Sequence, residues 1–155
     1  MPNALPESQQ IKSEIVLREL QLPEKATATR KALVRWIALS LGLINPGESR
    51  LILLDVLDAL FHYHFKGDRP TSKEIIAFVK KQSPSISEKS VLYHLTRLKE
   101  AGLIASKGRC YMFNMPSDVP KGSSLGEGLR ELYMGKSDSA LDKIKHVIDK
   151  LEKIY

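Results

Sequence analysis

Lys89, Ser90, Tyr93 and Arg97 combine two cations with two hydroxyls inside nine residues. At about 100° per residue, positions 89, 93 and 97 stack along one side of a helix, with Thr96 and Glu100 beside them. The chemistry this group could perform is recognition of a polyanion. Ammonium and guanidinium groups hold phosphates, hydroxyls hydrogen-bond to phosphates or base edges, and an arginine can pair with the edge of a guanine. Lys107 and Arg109 flank Gly108 a few residues on, and Lys73 precedes the group. These three are candidates for phosphate contact.

The stretch Ser87 to Asn114, SEKSVLYHLTRLKEAGLIASKGRCYMFN, has to position most of these groups. Val91, Leu95, Leu98 and Gly102 are spaced four, three and four apart, a narrow apolar stripe opposite the cations. Ser87 is the expected N-cap, with Ser85 and Glu88 as an alternative capping-box pair, and Gly102 is the expected stop. Two short apolar runs follow, Leu103-Ile104-Ala105 and Cys110 to Phe113, separated by Ser106-Lys107-Gly108-Arg109. That pattern predicts a β-hairpin with a basic tip.

A helix followed at once by a basic hairpin resembles the recognition helix and wing of prokaryotic and archaeal winged helix-turn-helix regulators, the PadR/ArsR/MarR-like group. Ser90-Val91, Leu95, Leu98, Ala101-Gly102 and Leu103-Ile104 carry the resemblance, and Leu92-Tyr93 is similar to the PadR-type members. It covers roughly residues 50 to 114. It implies a helix that enters the major groove of double-stranded DNA with its N-terminal half leading, and a wing on the adjacent backbone. Leu92 departs from the polar residue expected near the reading face; it would touch a thymine methyl or belong to the core.

The charge distribution agrees. Residues 1–65 and 110–155 each hold seven Lys/Arg and seven Asp/Glu. Residues 66–109 hold ten Lys/Arg against four Asp/Glu, an excess equal to the whole net charge of +6. A basic centre between electroneutral flanks suits phosphate neutralisation, the main sequence-independent source of DNA affinity.

Enzyme chemistry finds no support. His62 and His64 stand about 200° apart on a helix and cannot share a metal. His94 lies at the edge of a core face. Cys110 is the only cysteine, which leaves no intramolecular disulfide and fits a reducing, cytoplasmic compartment. There is no glycine-rich phosphate loop and no G-x-S-x-G elbow, so no catalytic residue, metal or cofactor is expected. No apolar run reaches the roughly 20 residues of a membrane span, and MPNALPESQQ lacks the features of a secretory signal.

Before the helix and hairpin, Thr71 or Ser72 is expected to cap a helix over 73–82 that buries Ile75, Ile76 and Val79. Arg69-Pro70-Thr71 would be extended and could add to the hairpin. Asn45-Pro46-Gly47-Glu48 reads as a capping box opening a helix that continues through Leu53, Val56, Leu57, Leu60 and Phe61 to Lys66. Upstream, a helix capped by Thr27 or Thr29 would run to Leu41 and stop at Gly42, with Trp36 in core or interface. Ile11, Ile15, Val16 and Leu20 predict an amphipathic helix over 8–20, after a disordered 1–6.

Beyond the hairpin, Pro116 and Pro120 bracket a linker. Ser124 and Glu127 would open a short helix stopped by Gly135, with a last helix from about Ser139 to Tyr155. Its Leu141, Ile144, Ile148, Leu151 and Tyr155 form a heptad seam, suited to a homodimer contact or to intramolecular packing. The expected fold is mainly α with a small β-hairpin wing. It comprises N-terminal helices (1–45), a winged helix (46–115) and C-terminal dimerisation helices (116–155). The expected function is that of a homodimeric, double-stranded-DNA-binding transcription regulator without membrane association. The alternative is a winged-helix module that binds protein.

Overall fold

The computed structural model describes residues 5–49 and 51–155, apart from the side chains of Ala26 and Thr27. Residues 1–4, part of the expected disordered start, lie outside the described residues, as does the side chain of the cap candidate Thr27. The chain forms two compact units, Met1–Phe113 and Asn114–Tyr155. The described residues are mainly helical, with one two-stranded antiparallel sheet among them. No helix among the described residues is long and apolar enough to cross a membrane.

In the first unit α1 is a single turn, Glu7–Gln10. The expected helix over 8–20 does not form; residues 11–23 run without regular structure. The reason lies in the end of α2 (Arg30–Ser40) and the turn after it, which this segment binds. The Arg18 guanidinium donates to Leu39 O (3.1 Å), which also accepts from Gly42 N–H, to Ile44 O (2.7 Å) and to Asn45 Oδ1 (2.9 Å). Its backbone N–H donates to Ser40 O, while the Ser40 hydroxyl donates back to Arg18 O. Trp36, expected in core or interface, is half-buried rather than core, and donates its indole N–H to Gln21 O at 2.9 Å. Tertiary hydrogen bonds thus override a modest helical pattern.

Thr29 caps α2 by accepting from Ala32 N–H, and Gly42 ends it at φ +69. Val16 presses on Gly42 so closely that a Cβ there would overlap its side chain. Asn45-Pro46-Gly47-Glu48 does not open a helix. Glu48 N–H donates to Asn45 O, and Gly47 sits at φ +84. Proline and a left-handed glycine in the two central positions make a type II turn. The Asn45 amide does meet Glu48 Oε1 at 3.0 Å, but across the turn. The helix itself, α3 (Ile52–Phe65), starts several residues later.

From there the elements match their expected order. Thr71 and Glu74 form a complete capping box on α4 (Ser72–Gln82), and Ser87 caps α5 (Glu88–Glu100). Strands β1 (Ile104–Lys107) and β2 (Cys110–Phe113) pair antiparallel with Lys107 opposite Cys110, so the tip is the two-residue turn Gly108-Arg109. Thr71 adds an isolated bridge to Cys110, and Tyr111 N–H donates to Pro70 O at 2.8 Å.

The core fills from the expected stripes. Val56, Leu57 and Leu60 of α3, Ile75 and Val79 of α4, and Val91, Leu95 and Leu98 of α5 are buried, with Leu103 and Ile104. Each such side chain contributes roughly 1.5–3 kcal/mol by leaving water. One carboxylate joins them: Asp58 is 5 % exposed. It is paired with Arg30 of α2 (3.3 Å) and accepts from Gln82 of α4 (3.3 Å). A buried charge held from two sides ties three helices together.

In the second unit, Ser124 caps α6 (Leu125–Glu152) by accepting from Glu127 N–H. The two helices expected here are one. Gly135 lies within α6 and does not stop it, since a lone glycine costs a helix only about 1 kcal/mol relative to alanine.

Candidate nucleic-acid interface

The helix α5 has two faces of opposite character. Val91, Leu95 and Leu98 are at most 1 % exposed, whereas Lys89, Tyr93, Thr96 and Arg97 are exposed. The buried stripe fixes the rotation of the helix, and the polar residues face water as a consequence. Ser87 at the N-cap sets where the helix begins, and so which residues occupy its first, outward turns.

Within that face Tyr93 and Arg97 interact. The guanidinium donates to the Tyr93 hydroxyl at 3.4 Å and lies over its ring, 5.8 Å from the centroid. A guanidinium held this way retains other N–H donors. Ser90 is half-buried, and its hydroxyl is 2.9 Å from that of Ser87, so it belongs partly to the helix start. Thr96, though exposed, donates its hydroxyl back to Leu92 O. Leu92 itself is 42 % exposed and so is not core. His94 is half-buried; burial, and then the charge of Arg97, hold its pKa below the usual histidine value.

The hairpin is joined to α5 by Lys99, whose ammonium donates to Ser106 Oγ at 2.8 Å. It also meets the start of α4. Lys73, Thr71 and Ser72 on one side, and Ser106, Gly108, Arg109 and Tyr111 on the other, line a cleft of about 280 Å³. Two of the expected phosphate contacts, Lys73 and Arg109, are thereby brought to one polar cleft beside a helix N-terminus, where backbone N–H groups favour anions. Lys107 is exposed at the end of β1. Among the described residues Lys73, Lys89, Lys107 and Arg109 make no ion pair, whereas Lys80 is paired with Glu88 at 3.8 Å. Four cations without counter-charges across α4, α5 and the hairpin are available to an external polyanion.

His62 and His64 face different rings, Phe78 (4.8 Å) and Phe113 (5.7 Å), as expected of side chains on opposite sides of α3. Among the described residues no group of three or more His, Cys, Asp or Glu could hold a metal. The sequence reading missed the contacts of the carboxylates on α3. Asp55, half-buried, accepts from Ser83 Oγ, and burial raises its pKa above the usual aspartate value. Carboxylates at 55 and 58 in an otherwise apolar helix were the available signal.

No family model, no curated protein and no solved structure matches this chain.

Proposed function

We propose that this protein is a sequence-specific, double-stranded-DNA-binding transcription regulator of the winged helix-turn-helix type, acting as a cytoplasmic homodimer. In this reading α5 lies in the major groove, with Lys89, Ser90, Tyr93 and Arg97 toward the DNA. The hairpin is the wing, with Lys107 and Arg109 on the flanking backbone and Lys73 on a neighbouring phosphate. The carrying observation is the two-faced α5: its apolar side is fully buried while Lys89 and Arg97 on its other side stand exposed without an ion pair among the described residues. The excess positive charge confined to residues 66–109 supports the same reading.

The test is a titration of a labelled random-sequence duplex at several salt concentrations. The expected outcome is binding that weakens steeply between about 50 and 200 mM salt, as counterion release requires. Absence of binding at low salt overturns the reading. It would favour the alternative, a protein-binding module, for which the exposed Leu92 and Tyr93 would be the docking residues.

A further inference from the structure

The last third of α6 exposes an apolar face with an asymmetric charge pattern. Leu141, Ile144, Ile148 and Leu151 are each more than half exposed, and Tyr155 follows in the same seam. One flank of the seam continues the apolar surface: Ala140, Val147 and Ile154 precede Leu141, Ile148 and Tyr155, and all three are exposed. The other flank is charged: Lys145 and Glu152 follow Ile144 and Leu151. This face is wider than a simple two-position seam, and it is wide on one side only.

We propose that two copies of the chain pair antiparallel through residues 144–155, the end of α6 and the turn that follows it, with Ile148 against the partner's Leu151, Ile144 against the partner's Tyr155, and Lys145 against the partner's Glu152. The inference rests on the second-copy part of the functional reading and supplies its geometry. Parallel helices bring the apolar flank of one against the charged flank of the other, setting Val147 beside the partner's Glu152. Antiparallel helices bring like flanks together. Val147 then meets the partner's Ile154, and the charged flanks face each other.

Charge also selects the register. Sliding the helices by one heptad, so that Leu141 meets the partner's Leu151, would put Lys145 against the partner's Lys145. A further heptad would engage Tyr133 and Ser137, which are already half-buried within the chain. The register that pairs Lys145 with Glu152 uses exposed residues alone. Lys145 also holds Asp149 of its own helix at 2.7 Å, and pairing exchanges or shares that contact with the partner's Glu152.

Engineered disulfides in the full-length chain test the arrangement, with the single native cysteine removed as Cys110→Ser. Ile144→Cys and Tyr155→Cys combined should form covalent dimers on mild oxidation. Neither substitution alone should, because in this register Ile144 lies about 16 Å along the axis from its own copy, and the two Tyr155 residues sit at opposite ends of the contact. Cross-linking by Ile144→Cys alone would show parallel pairing and overturn the proposal. A sedimenting dimer that no combination cross-links would overturn the register, and a monomer at millimolar concentration would overturn the pairing.

Charge reversal gives a readout that does not depend on cysteines. Lys145→Glu and Glu152→Lys should each weaken the dimer roughly fivefold, and the double variant should recover most of that loss. Additive losses would contradict the pairing. Circular dichroism of each variant verifies that the helix persists. The random-duplex titration is read separately, so a monomer that binds DNA removes only the pairing, and a cross-linked dimer that does not bind removes only the DNA reading.

Discussion

On α5 the Arg97 guanidinium lies over the Tyr93 ring, one helical turn away, and donates to its hydroxyl at 3.4 Å. The pair presents a planar donor fork and an aromatic edge from the same exposed surface. If α5 reads base edges, Tyr93→Ala removes both a contact and the support that orients Arg97. Specific binding should fall by about 1–3 kcal/mol, while binding to random duplex changes little. Competition titrations at fixed salt, preferred site against random duplex, measure the difference.

The hairpin tip should behave oppositely. A two-residue turn carrying Arg109, with Lys107 at the end of its strand, offers charge without a scaffold for precise base contacts. Lys107→Ala or Arg109→Ala should weaken specific and random-duplex binding alike and lower the salt slope by about one. If these substitutions abolish discrimination while Tyr93→Ala preserves it, the hairpin and not the helix carries the sequence information.

Arg18 gives a prediction that is independent of any ligand. It satisfies two backbone carbonyls and the Asn45 side chain at the end of α2. Arg18→Ala leaves the carbonyls of Leu39 and Ile44 without that donor, at a cost of about 1.5–3 kcal/mol for lost charged hydrogen bonds. The change should appear in urea unfolding, with faster proteolysis within residues 11–22. Unchanged protection there would show that the segment is held by its apolar contacts.

Asp55 links stability to pH. Burial raises its pKa above the ordinary 3.8, so the folded chain binds this proton more tightly than the unfolded chain. The contribution is fully present below about pH 3.8 and is lost as pH rises through the raised value. Asp55→Asn removes the ionisable group, and its carbonyl can still accept from Ser83. The variant should be no less stable than the parent at neutral pH, and the difference between them should shrink on acidification. A variant that is less stable at pH 7 would show that Ser83 needs the charged acceptor.

The part of the chain that reads clearly from its sequence is the part specified by local signals that agree. Around α4 and α5 the caps Thr71 and Ser87, the apolar stripes and the stop at Gly102 point to the same elements, and those elements form. Where local and tertiary signals conflict, the tertiary ones prevail. The weak helical period at Ile11 to Leu20 yields to the carbonyls that Arg18 satisfies. At Asn45 to Glu48 the conflict is between two local signals, a capping box and a Pro-Gly turn, and the left-handed glycine decides for the turn. The exposed face of α5 was legible because its buried opposite was. The Lys73–Arg109 cleft was legible only in part: the approach of Arg69-Pro70-Thr71 to the hairpin was expected, and Thr71 bridges Cys110, but no spacing in the sequence shows that Lys73 and Arg109 then line one cleft.

Two glycines of α6 should respond oppositely to one substitution. Gly135 lies inside the helix, and nothing approaches within 4 Å of where its Cβ would be. Gly135→Ala should therefore add about 0.5–1 kcal/mol of helix stability by restricting the unfolded chain. Gly128, one turn into the same helix, is buried, and a Cβ there would collide with the Met115 side chain, which lies against it. Gly128→Ala forces Met115 to move and should lower stability by about 1–3 kcal/mol, as overpacking does. Helicity followed on heating separates the two effects. If Gly135→Ala instead destabilises, the residue closes one helix before another begins, and α6 is two helices in solution.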